Sequence, residues 1–206
     1  MARDLGSIVK MSRREGYALH PKAHKAMVKR TSIPGQRPGY MSRNKPSQYA
    51  LQLREKQKVK RLYGLLERQF SNLMKEAARS NGQTGHVLLQ FLELRLDNVA
   101  YRSGFAVSRR ASRQLVTHGH FLLNGKRVDV PSIRVKQGDE IVVRDHSKKS
   151  EYFKKLDEVS PVSPNDLPSW LKVNRKKLEI IIGGMPTRDD VEPDINEQLI
   201  VEYYSR

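Results

Sequence analysis

Cysteine is absent from all 206 residues, which excludes disulfides, thiolate metal sites and cysteine nucleophiles. No apolar run approaches the roughly 20 residues needed to span a bilayer. Residues 1–11 are polar and interrupted by Asp4 and Lys10, so they lack the apolar stretch of a secretory signal. The chain is 37% hydrophobic, enough for modest cores in one or two domains but not for one core spanning everything. The lack of thiols fits a reducing cytoplasm, the location expected here.

Acidic residues are scarce in particular places. The formal net charge is +17, and residues 1–61 hold sixteen Lys/Arg against three acids. Residues 62–100 balance at four against four, 101–149 hold eleven against four, and 150–206 hold eight against eleven. A basic arm, a neutral middle, a basic module and a slightly acidic tail point to directed binding of a polyanion, which mere solubility would not need.

Residues 1–46 carry four prolines and four glycines among sparse apolar positions. Such a segment cannot offset its ordering entropy by burial, so a basic extension without a core is expected. From Ser47, a good N-cap, apolar residues from Leu51 to Ala77 recur at helical spacing to residue 80. Gly64 should divide that stretch in two. A further helix is expected over 84–102, with Leu88, Leu92, Leu96 and Val99 on its inner face.

Residues 108–134, SRRASRQLVTHGHFLLNGKRVDVPSIR, are the most informative. Ser108 caps a short helix bearing Arg109, Arg110 and Arg113, and Gly119 stops it. Asn124-Gly125 between two apolar runs is a strong hairpin signal and presents Lys126 and Arg127. One helix and one hairpin thus make a compact basic surface suited to folded RNA. Residues 133–135, 140–144, 170–173 and 178–182 read as further strands, and 148–159 as a basic helix or a solvated loop. Residues 194–204 read as a capped helix, with a strand as the alternative.

Several segments together resemble the bacterial small-subunit ribosomal S-four family. They are SRREG at 12–16, LREKQKVKRLYGLLERQF at 53–70, KEAAR at 75–79, LDNVAYRSGF at 96–105, SRQLVTHGH at 112–120 and INEQLIVEYYS at 195–205. The resemblance implies an α+β fold: a helical domain with an inserted S-four-type domain, short helices plus a small, mostly antiparallel sheet, and an extended basic N-terminal arm. Domain limits are then expected at 1–46 for the arm, 47–95 completed by 186–206 for the helical part, and 96–185 for the S-four RNA-binding domain. It also implies a non-enzymatic constituent of the small ribosomal subunit that binds a multi-helix junction in ribosomal RNA and nucleates assembly of the subunit body. Implied partners are small-subunit ribosomal RNA, neighbouring ribosomal proteins through which decoding accuracy is affected, and messenger RNA where it enters the subunit.

Many relatives hold zinc or an iron–sulfur cluster through cysteines that correspond here to Val9 and Ser12. Without thiols no cofactor or metal is expected, and the arm should be ordered by RNA contacts alone. The RNA-binding residues expected are Arg13, Arg14 and Arg43 in the arm, and Arg54, Lys56, Lys58, Lys60 and Arg61 in the long helix. In the module they are Arg109, Arg113, Gln114, His118, His120, Asn124, Lys126, Arg127 and Arg134. Arg113 and Gln114 match the family's Ala-Arg-Gln run, with Ser112 in place of the alanine. Arginine suits this work because its planar fork grips phosphate bidentately and stacks on bases.

One competing class is an RNA-modifying enzyme, because Arg95-Leu96-Asp97 resembles the Arg-Leu-Asp of pseudouridine synthases. In an amphipathic helix Asp97 reads instead as a solvated or capping charge, and the chain leaves no room for a catalytic domain. A standalone ribosome-associated stress factor would lack the long helical part. A membrane-surface role lacks an apolar aromatic anchor.

Overall fold

Gly16 takes a left-handed conformation (φ 66°) and closes helix α1, Ile8–Glu15, before His20 caps α2, Pro21–Lys29, by accepting from the Lys22 N–H. These helices come from a computed structural model that describes residues 6–30, 32–35, 45–161 and 167–205. It divides the chain into two compact units, residues 1–88 with 194–206, and residues 89–193.

The arm is not ordered by RNA alone. Ser12 is fully buried, and its hydroxyl donates to the Ile8 carbonyl at 2.8 Å and accepts from the Leu19 N–H at 3.2 Å. Leu19 and Ala23 are buried beside it, so α1 and α2 form a small core of their own. The arm reaches α3, Gln48–Leu62, through the Glu15 carboxylate, which meets Arg54 at 3.3 Å and also Arg61. A hydroxyl in the interior thus fastens this stretch. Ser12→Ala should leave the Leu19 N–H buried without a partner, at a cost of about 1–3 kcal/mol. Hydrogen exchange at Leu19 checks this, with faster exchange expected there and no change in residues 89–193.

Ser47 accepts from the Ala50 N–H, and Gly64 (φ 66°) turns the chain into α4, Glu67–Arg79. Phe70, Met74 and Ala77 form its buried stripe, as the spacing predicts. The final segment is a helix, α11, Glu197–Tyr204, with Asn196 accepting from the Gln198 and Leu199 N–H groups. It is fastened to α3 by Gln52 to Glu202 at 2.8 Å and by the Asn196 N–H to Glu55 at 2.9 Å. Gly85, in α5 (Thr84–Glu93), lets it approach: a Cβ there would stand 2.8 Å from Glu197.

The helix expected over 84–102 is broken. Helix α6 is Leu96–Arg102, and Arg95 between α5 and α6 is extended (φ −67°, ψ 137°). The cause is competition for backbone partners: the Val135 N–H donates to Leu94 and the Leu96 N–H to Ile133. Residues 133–135 are accordingly no strand, only a bridge of Arg134 to Arg95.

Helix α7, Arg109–Thr117, is capped by Ser108, which accepts from the Ala111 N–H. Among the described residues five strands follow: β1 Phe121–Leu123, β2 Lys126–Val128, β3 Glu140–Val143, β4 Leu171–Asn174 and β5 Glu179–Ile182. They lie in the order β2-β1-β3-β5-β4, every neighbouring pair antiparallel. Asn124 (φ 49°) and Gly125 (φ 78°) make the two-residue hairpin turn, whose positive φ values match strand twist. Residues 148–159 are neither one helix nor a loop. Short helices α8 Asp145–Lys148, α9 Glu151–Lys154 and α10 Leu156–Val159 cover the sheet with Phe153 and Leu156. Phe121 is the centre of the core, 6.4 Å from both the Phe105 and Phe153 rings.

Candidate nucleic-acid interface

Helix α7 has an inner face of Ser112 and Val116, both fully buried, and an outer face exposing Arg110, Gln114 and Thr117. Arg109 and Arg113 lie at the border, half-buried, and each is held by a polar spine along α6. Asp97 accepts from Arg113 at 2.8 Å and from Arg95 at 3.1 and 2.9 Å. The Ser112 hydroxyl donates to the Asp97 carbonyl and locks the helix to the spine. Arg109 donates to Asn98 at 2.9 Å and to Glu192 at 3.0 Å, with its guanidinium 4.6 Å from the Tyr101 ring. Asn98 in turn donates to Glu93 at 2.8 Å, and Arg102 grips the same fully buried carboxylate with two bonds of 3.0 Å.

This overturns the reading of Asp97 as a solvated or capping charge. It is 5% exposed and neutralised by two arginines. A carboxylate so placed orients cations and is closed off from a base. The spine itself was missed by sequence reasoning, although the alternation of charge in ELRLDN at 93–98 inside an apolar run was a usable signal.

Beside α7, the hairpin exposes Lys126 and Arg127. Gly119 makes room for the latter: a Cβ there would stand 2.7 Å from the Arg127 guanidinium. His118 is exposed, its ring 6.0 Å from that of His120. His120 bonds the Ser147 hydroxyl at 2.9 Å, and burial, with help from His118 and Arg144, lowers its pKa. The lowered pKa favours the neutral ring, which offers hydrogen bonding rather than charge. Asn124 is exposed, but its side chain already joins β1 to β3 by accepting from the Glu140 N–H and donating to Asp139. Arg134 is exposed and stacks 4.4 Å from the Phe91 ring. Of the module residues, Gln114, Lys126 and Arg127 are exposed, while Arg109 and Arg113 are anchored.

The expected residues of the other unit are dispersed. Arg14 is exposed, while Arg13 donates to the Ser32 carbonyl at 2.7 Å. Arg54 and Arg61 hold Glu15, and burial outweighs them to raise its pKa. Lys58 binds Glu55 and the Asp194 carbonyl, and Lys60 binds Glu67. Lys56, expected at the RNA surface, is buried instead at 3% exposure. Its ammonium lies 2.7 Å from Glu67 and 4.5 Å from the centre of the Tyr203 ring. Arg43 lies outside the described residues. Among the described residues no three His, Cys, Asp or Glu side chains cluster as a metal site, and no helix is long and apolar enough to cross a membrane.

The family profile described as ribosomal protein S4/S9 N-terminal domain matches residues 3–93, and the S4 domain profile matches residues 94–141. The chain is 49% identical to the small ribosomal subunit protein uS4 of Herpetosiphon aurantiacus. It is 48% identical to that of Chlorobaculum tepidum and 47% to that of Roseiflexus castenholzii. In all three cases the match covers 100% of both chains.

Proposed function

The chain belongs to the small ribosomal subunit protein uS4 family, and from that premise we propose that its α7–hairpin surface grips a multi-helix junction of small-subunit ribosomal RNA. It is a structural, non-enzymatic constituent of the bacterial small ribosomal subunit, working in the cytoplasm with ribosomal RNA and neighbouring ribosomal proteins. By holding the junction in one arrangement the protein nucleates assembly of the subunit body. With its neighbours it contributes to decoding accuracy, and its basic arm, with Arg14 exposed, suits messenger RNA entering the subunit. The domain limits proposed are those of the arm (1–46), the helical part (47–95 with 186–206) and the RNA-binding domain (96–185).

The observation that carries this reading is the anchoring of Arg109 and Arg113. Cations already fixed by carboxylates and aromatic contact lose little entropy on meeting phosphate, and together they present a rigid pattern. Affinity comes from counterion release. Selectivity comes from shape, because the deep major groove of A-form RNA admits no side chains.

Lys126→Ala with Arg127→Ala tests the surface, since both side chains are exposed and such changes usually move stability by less than about 0.5 kcal/mol. Filter binding to a small-subunit RNA junction should show affinity falling about tenfold or more. The log–log salt slope should shrink by about 2, at an unchanged melting temperature. Equal affinity in the variant would remove the hairpin from the interface.

A further inference from the structure

Counting charge along the chain hides a second basic corner in residues 89–193. The acids that make 150–206 net negative include Asp189, Asp190, Asp194, Glu197 and Glu202, all toward its end. The stretch around α8–α10 and the β4–β5 turn, residues 145–160 and 174–179, holds seven Lys/Arg against five acids, Asp145, Glu151, Asp157, Glu158 and Glu179. Two of its acids are spent internally, Asp145 on Lys148 at 2.8 Å and Asp157 on Arg175 at 2.9 Å. Lys149, Lys154, Lys155, Lys176 and Lys177 are exposed and carry no ion pair among the described residues.

Arg175 draws these lysines together. Beyond Asp157 it donates to the Ser160 carbonyl at 2.8 Å and the Leu156 carbonyl at 3.3 Å, pinning the β4–β5 turn to α10. Lys154 and Lys155 immediately precede that helix, and Lys176 and Lys177 immediately follow the pin. The corner is therefore a built feature of the fold.

Strand register sets it apart from the hairpin turn of the first surface. Leu123 pairs with Ile141, and Ile141 with Ile180. The Asn124-Gly125 turn thus leaves the sheet at the Glu140 end of β3, and the β4–β5 turn leaves at the Val143 end. The hairpin also forms one edge of the sheet and β4 the other. Four strand spacings separate those edges, so the two turns sit about 20 Å apart on a diagonal.

We propose that this corner, with Lys154, Lys155, Lys176 and Lys177, is a second RNA-binding face that holds a separate double-helical segment while the α7–hairpin surface holds the junction. The duplex preference follows from what surrounds the lysines. Single strands are held by stacking bases on exposed aromatic rings, and here the rings are engaged. Tyr152 donates to the Phe105 carbonyl at 3.0 Å and packs edge-on against the buried Phe153, while Trp170 is buried. Lysines with no aromatic platform act as point charges on a phosphate backbone. The protein would thereby tie two RNA helices together, a role that rests on the family reading but does not follow from it.

The test uses the full chain bound to an immobilised small-subunit RNA junction, then offers an unrelated, fully paired RNA duplex at physiological salt. Wild type should capture the duplex and leave a single strand of the same sequence largely in solution. The quadruple variant Lys154→Ala, Lys155→Ala, Lys176→Ala, Lys177→Ala should capture the duplex at least about tenfold less well, with a salt slope smaller by about 3 to 4. Its affinity for the junction should change by less than about threefold. No capture by wild type, undiminished capture by the variant, single-strand capture equal to duplex, or a parallel loss of junction affinity would each overturn the second face. A wild-type chain that fails to hold the junction at all would instead overturn the family-based reading.

Discussion

Asp97→Ala is expected to cost residues 89–193 about 3–5 kcal/mol, the largest loss from any single surface-adjacent charge in this protein. The substitution removes the carboxylate that meets Arg95, which is itself 4% exposed, and strips Arg113 of its 2.8 Å partner. A buried guanidinium without a counter-ion cannot recover its lost hydration, and that penalty exceeds the net worth of the pair. Trp170 is the sole tryptophan and is buried in this unit, so its fluorescence reports the unfolding directly. In a unit of this size the shift in melting temperature should be about 12 °C or more. Pairing Arg95→Met with Asp97→Leu should restore only part of the loss, because Arg95 is then no longer stranded while Arg113 still lacks its partner. Arg113→Ala should cost less than Asp97→Ala, since Asp97 keeps Arg95, while still weakening RNA binding. A shift below about 1 kcal/mol for Asp97→Ala would mean that water reaches Arg95 and that the spine does not hold the interface arginines.

What the sequence made legible was local. Ser108, Gly119 and Asn124-Gly125 each act on their immediate neighbours, so α7 and the hairpin could be read with their limits nearly right. The stripes of α4 and the turn at Gly64 are legible for the same reason. The failures share a different cause, partners distant along the chain. The helix expected over 84–102 breaks because residues 133–135 take backbone groups at Leu94 and Leu96. Asp97 is buried because α7 brings Arg113 and Ser112 over it. Ser12 reads as an ordinary polar residue in a proline-broken arm until Leu19 turns back onto its hydroxyl. The basic corner at Lys154 to Lys177 was hidden by averaging over acids that the fold places elsewhere. Charge counts along a chain survive folding only where neighbours in sequence remain neighbours in space.

Lys56 extends that lesson into a measurement. In the run LREKQKVKR it is indistinguishable from Lys58 and Lys60, yet α11, some 150 residues later, covers it. Lys56→Ala should destabilise residues 1–88 with 194–206 by about 2–3 kcal/mol, through lost packing of its stem and lost contact of the ammonium with the Tyr203 ring. Lys60→Ala, at a more exposed pair, should cost under about 1 kcal/mol. The same cluster sets an acid limit. Burial alone would raise the Glu67 carboxyl, but hydrogen bonds from Lys56, Lys60 and Tyr204 outweigh it and hold the pKa at about 2, against an ordinary 4.5. A depressed carboxylate stabilises fully above its unfolded value and loses that contribution as pH falls through its folded one. Between about pH 4.5 and pH 2 the wild-type unit should therefore weaken progressively, and Lys56→Ala should flatten that dependence because the folded Glu67 then titrates nearer its ordinary value. Solvent screening limits the size of the effect, since the Glu67 side chain is 48% exposed. Hydrogen exchange of α3 and α11 amides across that pH range gives the readout. Unchanged protection in Lys56→Ala, together with weaker RNA binding, would return Lys56 to the RNA surface and detach α11 from its role as a lid over the long helix.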